Sequence, residues 1–473
     1  MLFICIKEAF MNNTIIKLTL ILLLISVNIY GQDDPAPLLS DEGSRFIYGF
    51  VRGGFYGGIE DETDKVYIPS AFSDFGLTVE SGDSRMFKAF ADMRFRYGTE
   101  FSEPVTRFDI REAYVTVNGK KWDVTAGQKI IKWGRADFTN PTSKLSARNL
   151  VSRSPDPADM DMGNLLVSAR WYPYPFLSLE AVGMPYYRSS VLMIDPLPLP
   201  AYVTINPITS LMTGNDKYGL GLKADFYLRG VDMSISWFDG FNTMPGTALT
   251  RFDLNLSDPI PVPYTELTMK PYRISNIGFD FEATIGSAGI RGEAAWSIPY
   301  DSYKTYEYVA CQQIEWAVGI DWLSGDWRLT AEYSGKAIPG FEETSVEPFI
   351  GTEPDLSALA SLMAIPGFDL TEYVRQQVGA FNRLYNYQLE SSYHSAGIRI
   401  ETDLFYGMMT PSLLSLYNFT TCDFMIMPEI KYKPADGLTI SLGGEFYSGR
   451  KGSVYDLVDD FMNCIRAALR VDF

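Results

Sequence analysis

After residue 30 the chain never runs uncharged and apolar for the ~20 residues that a membrane helix requires, although 46% of it is hydrophobic and 14% aromatic. Its apolar residues alternate with polar ones instead. Side chains point to opposite faces along a strand, so a period of two is the signature of strands. In 217–229, Tyr218, Leu220, Leu222, Ala224, Phe226 and Leu228 share one face, opposite Lys217, Gly219, Gly221, Lys223, Asp225, Tyr227 and Arg229. In 86–97, Phe87, Ala89, Ala91, Met93, Phe95 and Tyr97 oppose Lys88, Asp92, Arg94 and Arg96. The same split recurs in 276–285 (Ile277, Phe279, Phe281) and 314–322 (Ile314, Trp316, Val318, Ile320, Trp322).

Strands of roughly ten residues, apolar on one face and charged on the other, fit a closed barrel with lipid outside and water inside. A water-soluble sandwich has shorter strands and less regularly placed charge. Short links at 229–230, 286–287, 324–325 and 434–437 alternate with long ones near 188–214, 243–270, 299–310, 336–384 and 448–460. The expected fold is therefore all-β: one transmembrane antiparallel barrel with short periplasmic turns and long extracellular loops. About seventeen strand candidates can be marked. Single-chain barrels carry an even number, which makes sixteen the central expectation, within a range of fourteen to eighteen. The last strand places Ile465, Ala467, Leu469, Val471 and the terminal Phe473 on one face, and resembles the C-terminal assembly signal of outer-membrane barrels.

The N-terminus sets the compartment. Lys17 precedes the uncharged apolar stretch 18–30, which reads as the core of a secretion signal. Residues 1–31 are the expected leader, with Met11 as an alternative start, 32–43 a short N-terminal segment and 44–473 the barrel. Outside the leader stand Cys311, Cys422 and Cys464, an odd number at wide spacing that makes no disulfide framework. A net charge of −18 opposes nucleic-acid binding. Outer-membrane lipid, lipopolysaccharide and the barrel-assembly machinery are the expected partners, besides a small solute or hydrophobic substrate. No oligomeric state and no cofactor is implied.

Residues 107–114 read RFDIREAY and 127–135 read GQKIIKWGR. Together they resemble a segment of porin-like outer-membrane families, including alginate-export-type barrels and barrels of unassigned function, in which an R-E-A-Y strand precedes a segment closing on W-G. The resemblance covers about thirty residues. It implies a barrel with a solute-passing or export role and names no cargo.

Inward faces separate by charge. Lys88, Arg94, Arg96, Arg107, Arg111 and Lys129 come from early strands, with Lys132 and Arg135 just beyond; Asp280, Glu282, Glu293, Glu315, Asp321 and Glu332 come from middle ones. On opposite walls they set a transverse field that sorts ions. Alternatively they pair with neighbours such as Asp92, Asp109, Arg291 and Arg328 and stiffen the wall. The polar, proline-bearing segment 135–163 is too long for a turn. Folded inward it narrows the pore as a constriction loop that carries Arg135, Lys144, Arg148 and Arg153 into the path, together with Asp156, Asp159 and Asp161; folded outward it is a plain loop. Asp156, Asp159 and Asp161 lack the glycine and terminal glutamate of a calcium loop and read as a solvated acidic turn.

Two connections are unexpectedly apolar. Segment 191–212 carries Leu192, Met193, Ile194, Leu197, Leu199, Val203, Ile205 and Ile208. Segment 356–381 has helical spacing in Leu359, Leu362 and Met363, then Val374, Val378 and Phe381. Such surface marks a binding groove or interface, or else the loops pack on one another as a plug. His394 is the only histidine, and with no nucleophile at catalytic spacing it supports no enzyme; no zinc spacing is present either. The sequence points to a solute channel. Its rivals are a transporter capturing hydrophobic compounds on the apolar loops, and a surface-binding or assembly barrel that does not conduct.

Overall fold

A computed structural model describes residues 44–60, 65–82, 86–194, 197, 199–208, 211, 212, 214, 217–255, 262–348, 361 and 364–473. The leader and N-terminal segment expected at 1–31 and 32–43 lie outside them, as do Leu359, Leu362 and Met363. Eighteen strands form one antiparallel sheet closed on itself. They are β1 Ser44–Glu60, β2 Lys65–Gly82, β3 Phe87–Glu100, β4 Glu103–Asn118, β5 Trp122–Lys129, β6 Asn164–Tyr174, β7 Leu177–Met184, β8 Gly219–Leu228 and β9 Val231–Phe241. Continuing round, they are β10 Arg273–Ile285, β11 Ala288–Pro299, β12 Gln313–Ser324, β13 Trp327–Ala337, β14 Ser392–Thr402, β15 Met409–Asn418, β16 Asp423–Ala435, β17 Leu438–Ser448 and β18 Cys464–Asp472. Each strand pairs with its neighbours in sequence. The last pairs with the first, from Phe50 opposite Asp472 to Gly57 opposite Ile465, and Gly49 and Phe473 exchange backbone hydrogen bonds of 2.8 and 3.0 Å.

Eighteen corrects the expected sixteen. Two turns place bulky or hydroxyl residues at left-handed positions. Phe101 and Ser102 join β3 to β4 with φ of 49° and 67°, and Phe405 and Tyr406 lie between β14 and β15 at 54° and 60°. Glycine, asparagine or aspartate normally occupies such positions.

Connections at one end of the barrel span at most the six residues 403–408. The long ones (130–163, 185–218, 242–272, 300–312, 338–391 and 449–463) all leave the other end. Outward side chains such as Leu222, Ile235, Ile277, Val318 and Leu442 are exposed, while inward Arg52, Asp92, Arg96, Asp280 and Glu293 are buried. Each Leu- or Phe-sized side chain left in water forgoes about 1.5–3 kcal/mol, so an outer face of this kind is costly to leave in water. Exposed aromatics rim it at both ends: Trp122, Trp171, Trp322 and Trp327 near the short turns, Tyr97, Tyr218, Trp296 and Tyr300 near the long loops. Outer-membrane barrels carry aromatic girdles of this kind. No helix among the described residues is long and apolar enough to cross a membrane.

The long loops have structure of their own. Gly246–Asn255 and Val262–Lys270 pair antiparallel, and Val203–Asn206 joins the latter in parallel. On this small sheet lies α1, Leu370–Tyr385, capped where Asp369 accepts from the Thr371 and Glu372 amides. Val378 and Phe381 of the helix pack on Leu267, with Leu199, Val203, Ile205 and Leu249 around them. Part of the apolar loop surface is thus covered by loop against loop.

Candidate functional site: the lumen and its inserted loop

Residues 130–163, between β5 and β6, fold into the barrel and bond to both sides of it. The turn inward rests on Trp133 and Gly134. Trp133 is 2% exposed in an apolar cluster with Ile131, Leu145, Leu166 and Phe238, its Nε1 donating to Glu180 at 3.3 Å. Gly134 has φ of +89°, and a Cβ there would run into Glu293, Thr142 and Asn140; only glycine fits such a site at no steric cost. The W-G pair noted in sequence is the hinge of this insertion.

The acidic residues of the middle strands receive the loop's backbone. Glu293 accepts from the amides of Arg135 (3.0 Å), Ala136 (3.1 Å) and Thr142 (2.7 Å) and from the Thr142 hydroxyl (2.7 Å). Glu332 accepts from the amides of Asp137 (2.8 Å), Phe138 (3.2 Å) and Thr139 (2.9 Å). Two carboxylates thus satisfy six backbone donors that have no sheet partner, which buried amides require. Arg135 reaches Asp280 at 2.7 Å and Glu282 at 3.0 Å. Lys144 and Lys336 share Glu315 at 3.4 and 3.3 Å, and Arg291 pairs with Asp321 and, at 3.1 Å, with Asp137. Burial pushes the Asp137 carboxyl above its ordinary range, against the pull of Arg291.

On the early strands the arginines form a paired network. Arg96 contacts Asp74 at 2.6 Å and also pairs with Glu100; Arg52 contacts Asp74 at 2.5 Å. Arg94 and Arg111 each reach Asp92 at 2.9 Å, and Arg107 reaches Asp109 at 2.5 Å. The loop joins this network through the carbonyl of Arg153, which accepts from Arg96 at 2.8 Å, and through the Arg153 amide, which donates to Glu100 at 3.0 Å. Ser152 accepts from Arg107 at 3.1 Å, and Asp159 lies 2.8 Å from Arg52. Burial pushes the Asp159 carboxyl up, but Arg52, the Ser154 hydroxyl and Arg94 outweigh it and hold the carboxyl below its ordinary range. Asp161 pairs with Lys132 and, at 3.3 Å, with Arg148; Asp156 caps the 3-10 turn Pro157–Met160. Only Asp156 is exposed, so the solvated acidic turn expected from sequence is instead a set of docking charges.

The two charge sets therefore stand paired rather than bare. Asp92, Asp109 and Arg291 are the neighbours expected from sequence, whereas Arg328 pairs with Glu401 and Asp403. Two members of the basic set stay apart: among the described residues Lys88 shows no ion pair, and Lys129 lies 4.7 Å over the Tyr114 ring. Arg111 faces inward beside Glu112 because a bulge opposite Asp92 and Met93 breaks the alternation. The ring of His394 lies against Tyr333 and Trp316. Cys311, Cys422 and Cys464 are free thiols. No cluster of three or more His, Cys, Asp or Glu able to hold a metal occurs among the described residues.

The loop leaves part of the lumen open. A polar cavity of about 500 Å³ lies between its tip, 155–157, and the inner faces of β14–β18 and β1. Its charged lining comprises Arg52, Arg399, Lys431, Lys433, Arg466 and Arg470, with Asp156, Glu401, Glu429 and Asp472. That is six cations against four carboxylates, an excess of two positive charges. A sequence reading that takes the last strand for its outer face alone misses these residues; Arg466 and Arg470 are simply the other face of the same alternation. A second cavity of about 440 Å³, with apolar walls, lies among the long loops.

Fold and lumen define a large closed antiparallel barrel of eighteen strands, its bore partly filled by an inward loop. Solved structures share the fold at low identity. OccK3 (OpdO) of Pseudomonas aeruginosa is 10% identical, with a TM-score of 0.51 over 91% of this chain and 95% of that one. OccAB1 of Acinetobacter baumannii is 9% identical, with a TM-score of 0.50 over 91% and 96%. The outer membrane protein OpdK of P. aeruginosa is 8% identical, with a TM-score of 0.50 over 91% and 98%. No protein-family model matches the chain, and no curated protein matches it by sequence.

Proposed function

We propose that the protein is a bacterial outer-membrane channel for small solutes, secreted through a leader at 1–31 and seated in lipid and lipopolysaccharide by the barrel-assembly machinery. The long loops face outward and the short turns face the periplasm, as in other barrels with this division of loops. The observation that carries this reading is the polar cavity beside the inserted loop. It offers solutes a polar space whose walls carry excess positive charge, while the loop narrows the bore. A ring of fixed charge at a constriction selects by sign, so the channel favours anions. Arg148, Arg153, Asp156, Asp159 and Asp161 serve as the constriction segment, and the acidic set Asp280, Glu282, Glu293, Glu315, Asp321 and Glu332 serves to hold it. The alginate-export-type resemblance fits the same class of role, in the W-G hinge above all.

Reversal potentials in planar bilayers test this. The mature chain (32–473) is expected to show anion preference, and Lys433→Glu with Arg470→Glu is expected to reverse it. An unchanged ion preference in the double variant would place conduction elsewhere.

A further inference from the structure

The cavity of about 440 Å³ among the long loops has the size of a small-molecule site. Six methionines line it: Met160, Met193, Met244, Met269, Met427 and Met462. Methionine is flexible and polarizable, and such walls adapt to apolar bodies of differing length.

Its floor is different. Arg153 and Arg466 line it and are only 5% and 8% exposed. Each has an Nε with no hydrogen-bond partner. Glu445 stands 3.8 Å from both guanidiniums, too far for a good hydrogen bond. Arg466 also shares Glu429, at 3.2 Å, with Lys431 at 3.3 Å. Three cations against two carboxylates leave one positive charge in excess, beside donors in need of an acceptor. Met427, Arg466, Pro155 and Pro157 line both this chamber and the polar cavity, so the two adjoin across these residues.

We infer that the chamber captures amphiphiles with a single anionic head: the apolar body lies among the methionines and the head points to Arg466 at the entrance of the polar path. A purely apolar ligand leaves the arginine donors unanswered, and a polar solute such as a sugar leaves the methionine-rich walls without an apolar body to cover. Passage of the captured molecule rests on the channel reading; its binding in the chamber does not.

Calorimetry on the folded protein in nanodiscs, with empty discs subtracted, tests it using octanoate, decanoate and dodecanoate, with decanol as the neutral control. Each added methylene is expected to tighten binding about fourfold, and decanoate is expected to bind more tightly than decanol. Ile194→Asp, in the chamber wall, is expected to weaken binding at least about tenfold; Ile194→Ala, which adds no charge, is expected to weaken it less. Arg466→Gln is expected to abolish the advantage of decanoate over decanol. Affinity independent of chain length, or equal for acid and alcohol, overturns the inference. Bilayer recordings on the same preparation separate the two readings: conduction without binding overturns the capture site alone, and binding by a silent barrel overturns the channel alone.

Discussion

Glu293 and Glu332 each do what no backbone partner does at their position: they collect three neighbouring amides of the inserted loop. Removing a carboxylate leaves those amides unpaired and, where they are only part-buried, costs at most about 1–3 kcal/mol each. Glu332→Ala is therefore expected to free the 137–139 segment while the barrel stays closed. Limited proteolysis should cut the variant within 130–163 and spare the parent; equal resistance would show that the loop is held by other contacts. Alternation made the inward position of Glu332 legible, but not its acceptors' use, because a carboxylate in a strand pattern carries no mark of the distant amides it meets. Gly134 was visible as part of W-G; its reason, a positive φ against Glu293, was not.

At the scale of elements, the loop is pinned at two walls by different chemistry, amide-to-carboxylate on one and arginine network on the other. Asp159 gives the second attachment a pH dependence. Its carboxyl is held below its ordinary value of 3.8, so its contribution to docking is fully present above that value and is lost as pH falls through the depressed one. Channel noise from loop release is expected only in strongly acid solution, below about pH 4, and Asp159→Asn should bring it to neutral pH. Loop motion in the parent that sets in near neutrality would contradict this assignment. The long connections were legible as loops, and 135–163 as a loop with two possible places. What decided between them was three-dimensional: partners from β1, β3, β10, β11 and β13 converge on one segment, and no window of sequence contains them. Two turns were hard to read locally, since Phe101, Ser102, Phe405 and Tyr406 hold positive φ where glycine, asparagine or aspartate is usual.

The whole molecule is an inside-out protein, with charge within and apolar side chains on the surface. That much was readable, because one period of two repeated around the chain fixes both faces at once. The outer face gives a depth-dependent prediction. Leu222→Arg, at mid-strand and facing outward, is expected to destabilise the inserted barrel by about 2–4 kcal/mol, against about 0–1 kcal/mol for Tyr174→Arg at the rim. Equal costs in lipid-vesicle unfolding would argue against a membrane-embedded band.

In the proposed channel, solutes pass between the loop tip and the basic wall of β14–β18. Single-channel recording of the folded barrel, with and without residues 149–160, tests it most directly. Steady openings in the parent and a several-fold larger conductance in the deletion are expected. A barrel that inserts and stays silent, in the parent and the deletion alike, would contradict it.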